Sequence, residues 1–378
     1  MSKLNELYDE FGQSAWIDNI RRDWLNDGTL AQLVADGARG VTSNPAIFAK
    51  AFATSSAYDG LIASSPSSDP EVVFETLAAA DVRDACDVLG DLYAASMKDF
   101  IAGRRRFADG YVSLEVSPRL ARDTDGTIAA AQRLFDEVAR PNVMIKIPAT
   151  REGLPAITEV LSRGINVNVT LIFSLRRYQE VLDAWTAGIE AAVANGHDVR
   201  AIASVASFFV SRVDAAIDAL LPADSAQRGV AANAQVAAAY ELYLRHVASG
   251  RVQDLLAKGA QVQRPLWAST STKDPSYHDL LYVDSIVADE TVNTMPDATL
   301  AAALDHGNFG TSLLLDSEVR AQTVALLGQL PSNVDLDAIT LKLEEDGVAS
   351  FMTAYEELLA TVATKLNGIS NDLSLIHI

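Results

Sequence analysis

Short apolar runs of strand character alternate with longer helix-like runs through most of this 378-residue chain. The eight predicted strands lie near residues 13–18, 38–43, 111–116, 142–147, 165–170, 201–206, 264–269 and 281–287. Strands that alternate with helices indicate a parallel sheet with helical crossovers. Eight is the number of strands that closes such a sheet into a (β/α)₈ barrel.

Polar residues within several of these strands share one face. Successive side chains of a strand point to opposite faces, so residues two apart lie on the same side. The same-face sets are Ser113 with Glu115, Met144 with Lys146, and Asn166 with Asn168 and Thr170. A fourth strand ends in the carboxylate of Asp18. An apolar outer face and a polar inner face, with chemistry at the carboxyl ends of the strands, are typical of a TIM barrel.

Two long stretches exceed what the barrel itself needs. The segment before the third strand is too long for one crossover, and the pattern after about residue 297 is helical with no further strand signal. We therefore predict an α/β fold, a TIM barrel with a helical insertion after strand 2 and additional C-terminal helices. The predicted plan is a single domain over residues 1–378, with a barrel of about 13–296, an insertion of about 55–108 and a helical cap of about 297–370. Residues 374–378 fit no amphipathic pattern, which leaves disorder as one interpretation.

Composition limits the classes of partner. Hydrophobic residues make up 49% and charged residues 21% of the chain, which is typical of a globular protein. The formal net charge of −20 repels nucleic acid and anionic membranes, so neither is expected as a partner. A single cysteine, Cys86, excludes an internal disulfide and is expected to be a buried helical thiol. Because no signal-peptide pattern or bilayer-spanning apolar run occurs, we expect a cytoplasmic protein.

Lys146 is the only charged residue in the apolar run of residues 142–148. Such a run is typical of a strand buried on both faces, where a lysine is rare. Removing an ammonium from water favours the neutral amine, which is the form that attacks carbonyl groups. Lys146 is therefore a candidate Schiff-base nucleophile. An exposed strand end, or an ammonium that reaches the surface along its stem, would explain the same run.

Three ordered segments of the chain resemble signatures of a known family. They are residues 40–48 (GVTSNPAIF), residues 143–150 (VMIKIPAT) with Glu152-Gly153 after them, and residues 165–174 (INVNVTLIFS). These segments are similar to those of the transaldolases, class I Schiff-base aldol-transfer enzymes of the non-oxidative pentose phosphate pathway. With the flanking matches, the resemblance extends from Asp18 to about Pro296. It implies transfer of a dihydroxyacetone unit from sedoheptulose 7-phosphate to glyceraldehyde 3-phosphate, giving erythrose 4-phosphate and fructose 6-phosphate.

The resemblance also implies roles for four catalytic residues. Lys146 would form the imine with the ketose carbonyl. Asp18 would take the hydroxyl proton that starts carbon–carbon cleavage, although a carboxylate at a strand end also commonly caps a helix. Glu115 would act as an acid through a water molecule that Thr170 holds. General acid–base help of this kind contributes roughly 10²–10⁴-fold in rate.

The substrate-binding residues that the resemblance implies are Asn44, Asn168, Ser207 and Phe209. The last two lie in residues 203–214 (ASVASFFVSRVD), which are similar to a strand-to-helix passage of the family. Asn44 would hydrogen-bond substrate hydroxyl groups, but Asn followed by Pro also commonly starts a turn.

The implied phosphate-binding residues are Arg212, Ser269 and Lys273. A guanidinium at a helix start can bind an anion together with the helix N-terminus. Many relatives have an arginine two residues after the serine, where this chain has Ser271, so we expect Lys273 to supply the charge. Solvated surface charge is the alternative for Arg212 and Lys273.

Other classes of protein receive less support from the chain. The histidines are His197, His246, His278, His306 and His377, without ligand spacing, so no metal is expected. Neither a phosphate-loop nor a dinucleotide signature occurs, so no nucleotide cofactor is expected. The alternatives are a Schiff-base aldolase that releases the cleaved fragment, and a non-catalytic barrel that would have lost part of the Asp18, Glu115 and Lys146 set. The expected partners are sugar-phosphate substrates, and a homo-oligomer is compatible with the sequence.

Overall fold

Eight parallel strands close into a barrel in the order in which they follow along the chain. The computed structural model describes residues 2–375, with side chains through residue 367. The strands are β1 (Ser14–Ile17), β2 (Gly40–Val41), β3 (Tyr111–Glu115), β4 (Val143–Pro148), β5 (Val167–Ile172), β6 (Ser204–Phe209), β7 (Gln263–Ala268) and β8 (Val292–Met295). Strand β1 pairs with both β2 and β8, which closes the sheet and confirms the predicted TIM barrel.

Helices surround this barrel and extend beyond it. The first seven are α1 (Lys3–Phe11), α2 (Arg22–Asn26), α3 (Thr29–Ala35), α4 (Pro45–Thr54), α5 (Asp59–Ala63), α6 (Pro70–Val88) and α7 (Gly90–Ile101). The others are α8 (Thr124–Val138), α9 (Gly153–Ser162), α10 (Leu175–Ala194), α11 (Ser211–Asp218), α12 (Ala231–Val247), α13 (Gly250–Ala257), α14 (Leu281–Asp284), α15 (Asp297–His306), α16 (Ser317–Ala325) and α17 (Leu336–Leu375). Short 3₁₀ helices occupy Ser56–Tyr58, Pro118–Leu120, Val199–Ala201, Phe309–Thr311 and Leu326–Gln329.

The predicted insertion and cap are both helical. Helices α5, α6 and α7 fall within residues 55–108, and α15, α16 and α17 follow the barrel. Helix α17 packs against α4, α5, α6 and α11, so it crosses elements that flank the barrel. Leu375 ends α17, and residues 376–378 of the stretch expected to be irregular lie outside the described residues. No helix within the described residues is long and apolar enough to cross a membrane.

The apolar residues of the strands divide between two clusters by alternation. The outer cluster joins strand residues to the surrounding helices and includes Val112, Leu114, Val143, Ile145, Ile147, Val167 and Val169. The inner cluster fills the barrel and includes Trp16, Tyr111, Met144, Leu171, Phe209, Leu266 and Val292. Met144 therefore lies on the inner side and its neighbours Val143 and Ile145 on the outer side, as the period of two predicts. Cys86 is buried in the outer cluster as a free thiol, as expected.

The eighth strand was predicted in the wrong place. Residues 281–287 begin with α14, and the strand that closes the barrel is Val292–Met295. A short apolar run cannot distinguish a buried helix from a strand by periodicity, and Val283 packs in the outer cluster on the helical side. The real strand has weak apolar character because Asn293 and Thr294 lie in its centre. The sixth strand is also displaced from the predicted 201–206, because Val199–Ala201 forms a 3₁₀ helix.

A buried ionic cluster fills the amino-terminal end of the barrel. Arg264 Nη1 lies 2.8 Å from Asp109 Oδ1, and Arg39 Nε lies 3.0 Å from Asp109 Oδ2. Ser14 Oγ donates to the same carboxylate at 2.7 Å. Burial alone would raise the pKa of Asp109, but the two guanidinium groups reverse the effect and hold it below its usual value. Each charge in this cluster has a partner, and the attraction between the partners offsets the free-energy cost of removing the charges from water.

This cluster predicts a stability effect at Asp109. Removing one partner of a buried ion pair costs about 3–5 kcal/mol, so Asp109→Ala should lower the free energy of unfolding by that amount. Asp99→Ala is the matched control, since Asp99 pairs with Arg104 at the surface, where ion pairs contribute about 0–1 kcal/mol. Urea denaturation of both variants measures the difference, and equal losses would contradict a special role for the buried pair.

Candidate active site

Lys146 lies in the centre of β4 with its side chain inside the barrel, only 5% exposed. The strand register places it beside Glu115 of β3 and Asn168 of β5. Its Nζ lies 3.1 Å from Glu115 Oε2 and donates a hydrogen bond of 3.0 Å to the carbonyl oxygen of Ser43. The predicted strand burial is therefore correct, and the ammonium does not reach the outer surface. The Glu115 carboxylate offsets the cost of burying the ammonium, and the sequence analysis had selected Glu115 as an acid without predicting this ion pair.

A cavity opens at the carboxyl-terminal ends of the strands, and we call it the mouth cavity. Nine of the eleven predicted site residues line it, namely Asp18, Asn44, Lys146, Thr170, Ser207, Phe209, Arg212, Ser269 and Lys273. Residues that the sequence analysis did not select also line it, and they are Thr42, Ala268, Ser271, Thr294, Pro296 and Phe351. The two remaining predicted residues do not line the cavity but contact residues that do, Glu115 contacting Lys146 and Asn168 contacting Ser207. The fold thus brings together residues from seven strands or their ends and from the helices α11 and α17.

Asp18 projects into the mouth cavity and does not cap a helix. The next helix, α2, begins at Arg22 with Arg21 as its N-cap. Asp18 Oδ1 instead accepts a hydrogen bond of 2.7 Å from the Thr42 hydroxyl, which lies 2.7 Å from the Thr294 hydroxyl. Burial raises the pKa of Asp18, while the positive charge of Lys146 and the Thr42 hydrogen bond oppose that shift.

Thr42 and Thr294 were missed for different reasons. Thr42 stands just beyond the end of β2, inside a segment recognised as a motif, but a threonine there carries no charge to single it out. Thr294 belongs to β8, the strand that the sequence pattern misplaced. A correct assignment of the eighth strand would have placed the Thr294 side chain by alternation with its neighbours.

Glu115 and Thr170 carry buried oxygen atoms with unused hydrogen-bonding capacity. Thr170 Oγ1 has no hydrogen-bond partner among the described residues, and Glu115 Oε2 has the Lys146 ammonium as its one contact there. Buried polar atoms of this kind normally bind a water molecule or a ligand. Burial raises the pKa of Glu115, and the charge of Lys146 works against that shift. Both oxygen atoms can therefore take part in binding or proton transfer beside Lys146.

The backbone after Thr170 is irregular. Leu171 has a φ of 59°, a left-handed conformation that is rare for a residue with a side chain, and the pairing of β5 with β6 shifts between Val169 and Ile172. Such bulges reorient side chains at the rims of barrels. Beyond this shift, side chains no longer alternate between the two faces of the strand. Thr170 and Leu171 are consecutive, yet Thr170 lines the mouth cavity and Leu171 belongs to the inner cluster.

The two predicted substrate amides differ in their surroundings. Asn168 is fully buried, donates from Nδ2 to the Ser113 hydroxyl at 3.0 Å and accepts from the Ser207 hydroxyl at 2.7 Å. Its position is therefore fixed from both sides. Asn44 Oδ1 accepts from the backbone N–H of Ile47 at 3.0 Å and caps α4, as the turn interpretation anticipated. Asn44 also lines the mouth cavity, so one residue both caps the helix and faces the cavity.

Arg212 and Lys273 bring positive charge to the rim of the mouth cavity. Neither lies within 4 Å of a carboxylate of the described residues, in contrast to most arginines of the chain. Lys273 Nζ donates to the Ser271 hydroxyl at 2.9 Å, so Ser271 supports the lysine at the position where an arginine was expected. Burial lowers the pKa of both groups, and the neighbouring Arg212 lowers that of Lys273 further. Two cations without a counterion form a site suited to an anion.

A second cluster of polar side chains lies away from the mouth cavity. Asp279 Oδ1 lies 3.2 Å from His306 Nε2 and 3.5 Å from His278 Nδ1, and all three side chains are exposed. Sequence spacing does not predict this proximity, because His278 and His306 are far apart along the chain. The backbone N–H of Leu280 donates to His278 Nδ1 at 3.2 Å, and Asp305 pairs with His306 at 3.0 Å. Both ring nitrogens of His306 and the Nδ1 atom of His278 therefore have partners within the protein.

Comparisons with known proteins show the family of the chain. The family model described as transaldolase/fructose-6-phosphate aldolase matches residues 15–362. The chain is 48% identical to a transaldolase of Saccharopolyspora erythraea, with 97% of this chain and 98% of that protein covered. It is 47% identical to a transaldolase of Frankia alni (96% and 97% covered) and 46% identical to one of Thiobacillus denitrificans (93% and 97% covered). The chain therefore belongs to the transaldolase/fructose-6-phosphate aldolase family, and it is an enzyme of the transaldolase class, which transfers ketone and aldehyde groups.

Proposed function

We propose that this enzyme transfers a dihydroxyacetone unit from sedoheptulose 7-phosphate to glyceraldehyde 3-phosphate, giving erythrose 4-phosphate and fructose 6-phosphate, through an imine on Lys146. The observation that carries the proposal is the buried Lys146 amine at the mouth cavity, 3.1 Å from the Glu115 carboxylate. The family relationship supports the choice of sugar phosphates. The reaction belongs to the non-oxidative pentose phosphate pathway, and the unpaired thiol of Cys86 suits a reducing, cytoplasmic setting.

Imine formation begins with a proton transfer inside the ion pair. Moving one proton from the Lys146 ammonium to Glu115 creates a neutral amine and a carboxylic acid, and burial favours this uncharged pair. The amine then attacks the ketose carbonyl carbon, a carbon–nitrogen bond forms, and the carbonyl oxygen becomes a hydroxyl group by taking a proton from the nitrogen. Glu115 gives a proton to the departing hydroxyl group through a water molecule that the Thr170 hydroxyl holds, and water leaves. General acid catalysis of this kind requires an acid within hydrogen-bond reach or one water molecule away.

Carbon–carbon cleavage uses Asp18 as the base. Asp18 takes the proton from the substrate hydroxyl on the carbon that becomes the aldehyde carbon. The bond between this carbon and the three-carbon unit breaks, and the aldehyde fragment forms. The electron pair of the broken bond moves into the iminium on Lys146, which acts as the electron sink. The acceptor aldehyde then replaces the first product, the new carbon–carbon bond forms, and Asp18 returns its proton. Hydrolysis of the imine releases the new ketose.

Recognition of the substrate chain and its phosphate involves the remaining residues of the cavity wall. Asn44 and Ser207 hydrogen-bond hydroxyl groups, Asn168 holds Ser207 in place, and the Phe209 ring supplies an apolar wall. The phosphate binds between Arg212 and Lys273, with Ser269 beside it. Ser269 has a φ of 57°, and its hydroxyl lies 3.1 Å from that of Ser211, which fixes it at this rim.

Trapping with borohydride tests the imine and the transfer together. With fructose 6-phosphate present, reduction should leave a three-carbon adduct on Lys146 that peptide mass spectrometry locates. The same preparation should form sedoheptulose 7-phosphate when erythrose 4-phosphate is added. Lys146→Arg is the control, because it keeps a cation beside Glu115 but cannot form an imine. An adduct on another lysine would refute the assignment, and an adduct without transfer would indicate an aldolase that releases its fragment.

The Thr42 hydrogen bond predicts the pH dependence of the reaction. Asp18 works as an anion, so kcat/KM falls as the pH falls through the pKa of Asp18. The Thr42 hydroxyl stabilises that anion and lowers its pKa, so Thr42→Val should move the acidic limb of the pH profile to higher pH. Thr42→Ser keeps the hydroxyl and should leave the limb near its original position. An acidic limb that does not move in Thr42→Val would exclude Asp18 as the titrating base.

The phosphate site predicts a binding effect at Lys273. Lys273→Met should raise the KM for fructose 6-phosphate about tenfold, equivalent to about 1.4 kcal/mol, because one charge-assisted contact is lost. The kcat should change less, and activity with unphosphorylated fructose should not respond. Lys258→Met is the matched control, since it makes the same change in net charge at an exposed position on the next residue after α13. Equal effects of the two variants on KM would point to the overall field of the protein instead of a local contact.

A further inference from the structure

Helix α17 brings an aromatic side chain to the active-site lysine from outside the barrel. The Phe351 ring lies with its centroid 5.6 Å from Lys146 Nζ. Phe351 is 7% exposed and lines the mouth cavity. It belongs to the inner cluster, together with residues of the strands. Phe351 is therefore the wall of the cavity that α17 contributes next to the reacting nitrogen.

The docking of α17 places this ring with little freedom. Leu343, Gly347 and Phe351 are spaced four residues apart and lie on one face of the helix. A methyl group built at Gly347 would lie 3.1 Å from Leu171 Cδ2, so the helix lies close against the irregular end of β5. Farther along, the Tyr355 hydroxyl donates to Glu71 at 2.7 Å, and Leu358 is fully buried in the outer cluster. These contacts lie on both sides of Phe351 along the helix.

The chemistry of the intermediate makes the character of this wall important. After cleavage, a three-carbon unit stays on Lys146 with a nucleophilic carbon. Transfer forms a bond from that carbon to the carbon of an aldehyde, and the resulting alkoxide takes a proton. Release instead places a proton on the same carbon, after which one water molecule hydrolyses the imine to dihydroxyacetone and the free amine. A wall that holds water or a proton donor near the carbon therefore favours release over transfer.

We propose that Phe351 determines the outcome of the reaction in favour of transfer, by covering the Lys146 nitrogen with an apolar ring that keeps water and proton donors from the three-carbon intermediate. Its ring has no group that donates or relays a proton, in contrast to the polar residues elsewhere in the mouth cavity. The ring face also attracts a cation, which suits the positively charged imine at the same nitrogen. This inference rests on the proposed function, since it concerns the fate of the imine on Lys146.

The test compares Phe351→Ala, Phe351→Leu and Leu358→Ala. With fructose 6-phosphate and erythrose 4-phosphate present, the ratio of free dihydroxyacetone to sedoheptulose 7-phosphate measures release against transfer. Phe351→Ala should raise this ratio about tenfold, the factor that corresponds to about 1.4 kcal/mol. Phe351→Leu keeps an apolar side chain and should raise it less, about threefold, while packing at the site is largely kept. Leu358→Ala weakens the docking of α17 outside the cavity and should lower the melting temperature without changing the ratio.

Borohydride trapping of each variant separates this inference from the proposed function. If the unmodified enzyme gives no adduct at Lys146, the proposed function itself fails. If the adduct forms and the ratio stays constant in both Phe351 variants, only the role of Phe351 is refuted. A ratio that rises equally in Leu358→Ala would assign the effect to the docking of α17 and would also overturn the role of the ring. Should Phe351→Ala fail to fold, the Phe351→Leu variant decides by the same comparison.

Discussion

The hydrogen-bonded register of β3, β4 and β5 is the interaction on which the candidate site depends. It places Glu115 beside Lys146 and Lys146 beside Asn168, so an acid, an amine and an amide meet at one level inside the barrel. The apolar outer faces of these strands hold the register, because a slip of one residue would turn every inward side chain toward the helices. Burial of Val143, Ile145 and Ile147 against the helices therefore fixes where the chemistry occurs, although none of them takes part in it.

The two ends of the barrel differ in whether their charged groups have partners of opposite charge. At the amino-terminal end, Asp109 is matched by Arg264 and Arg39, and the cluster contributes to stability. At the carboxyl-terminal end, the half-buried Arg212 and the exposed Lys273 have no carboxylate partner within 4 Å among the described residues, and the buried Thr170 hydroxyl lacks a hydrogen-bond partner there. Unpaired buried groups cost stability and are kept where a ligand completes them. The division follows the barrel fold, which gives stability at one face and function at the other.

Sequence patterns could predict the parts of the site that depend on local order. Lys146 and Glu115 were placed by alternation within a strand and by residue type, and the structure brings them within 3.1 Å. Thr294 could not be predicted as a site residue. The polar centre of β8 does not have the apolar pattern of a strand, whereas the apolar run of α14 does. The contact of Phe351 with Lys146 depends on how a helix from the far end of the chain docks over the barrel. Periodicity predicted that helix but carries no information on the surface that it meets.

Helix α17 covers Lys146 from the solvent side, which the strands of the barrel cannot do. Inward side chains of a barrel point at its axis, so they can surround Lys146 from the sides but cannot cover it from the solvent side. Because an imine that transfers its carbon unit must wait for a second substrate, exclusion of water has to persist while the first product leaves. The Phe351 ring is carried on a helix that packs against α4, α5 and α6, and the proposed reaction requires it to cover the nitrogen throughout that exchange. In the proposed reaction, the barrel residues therefore supply the groups for cleavage, and the cover that Phe351 forms over the lysine favours transfer.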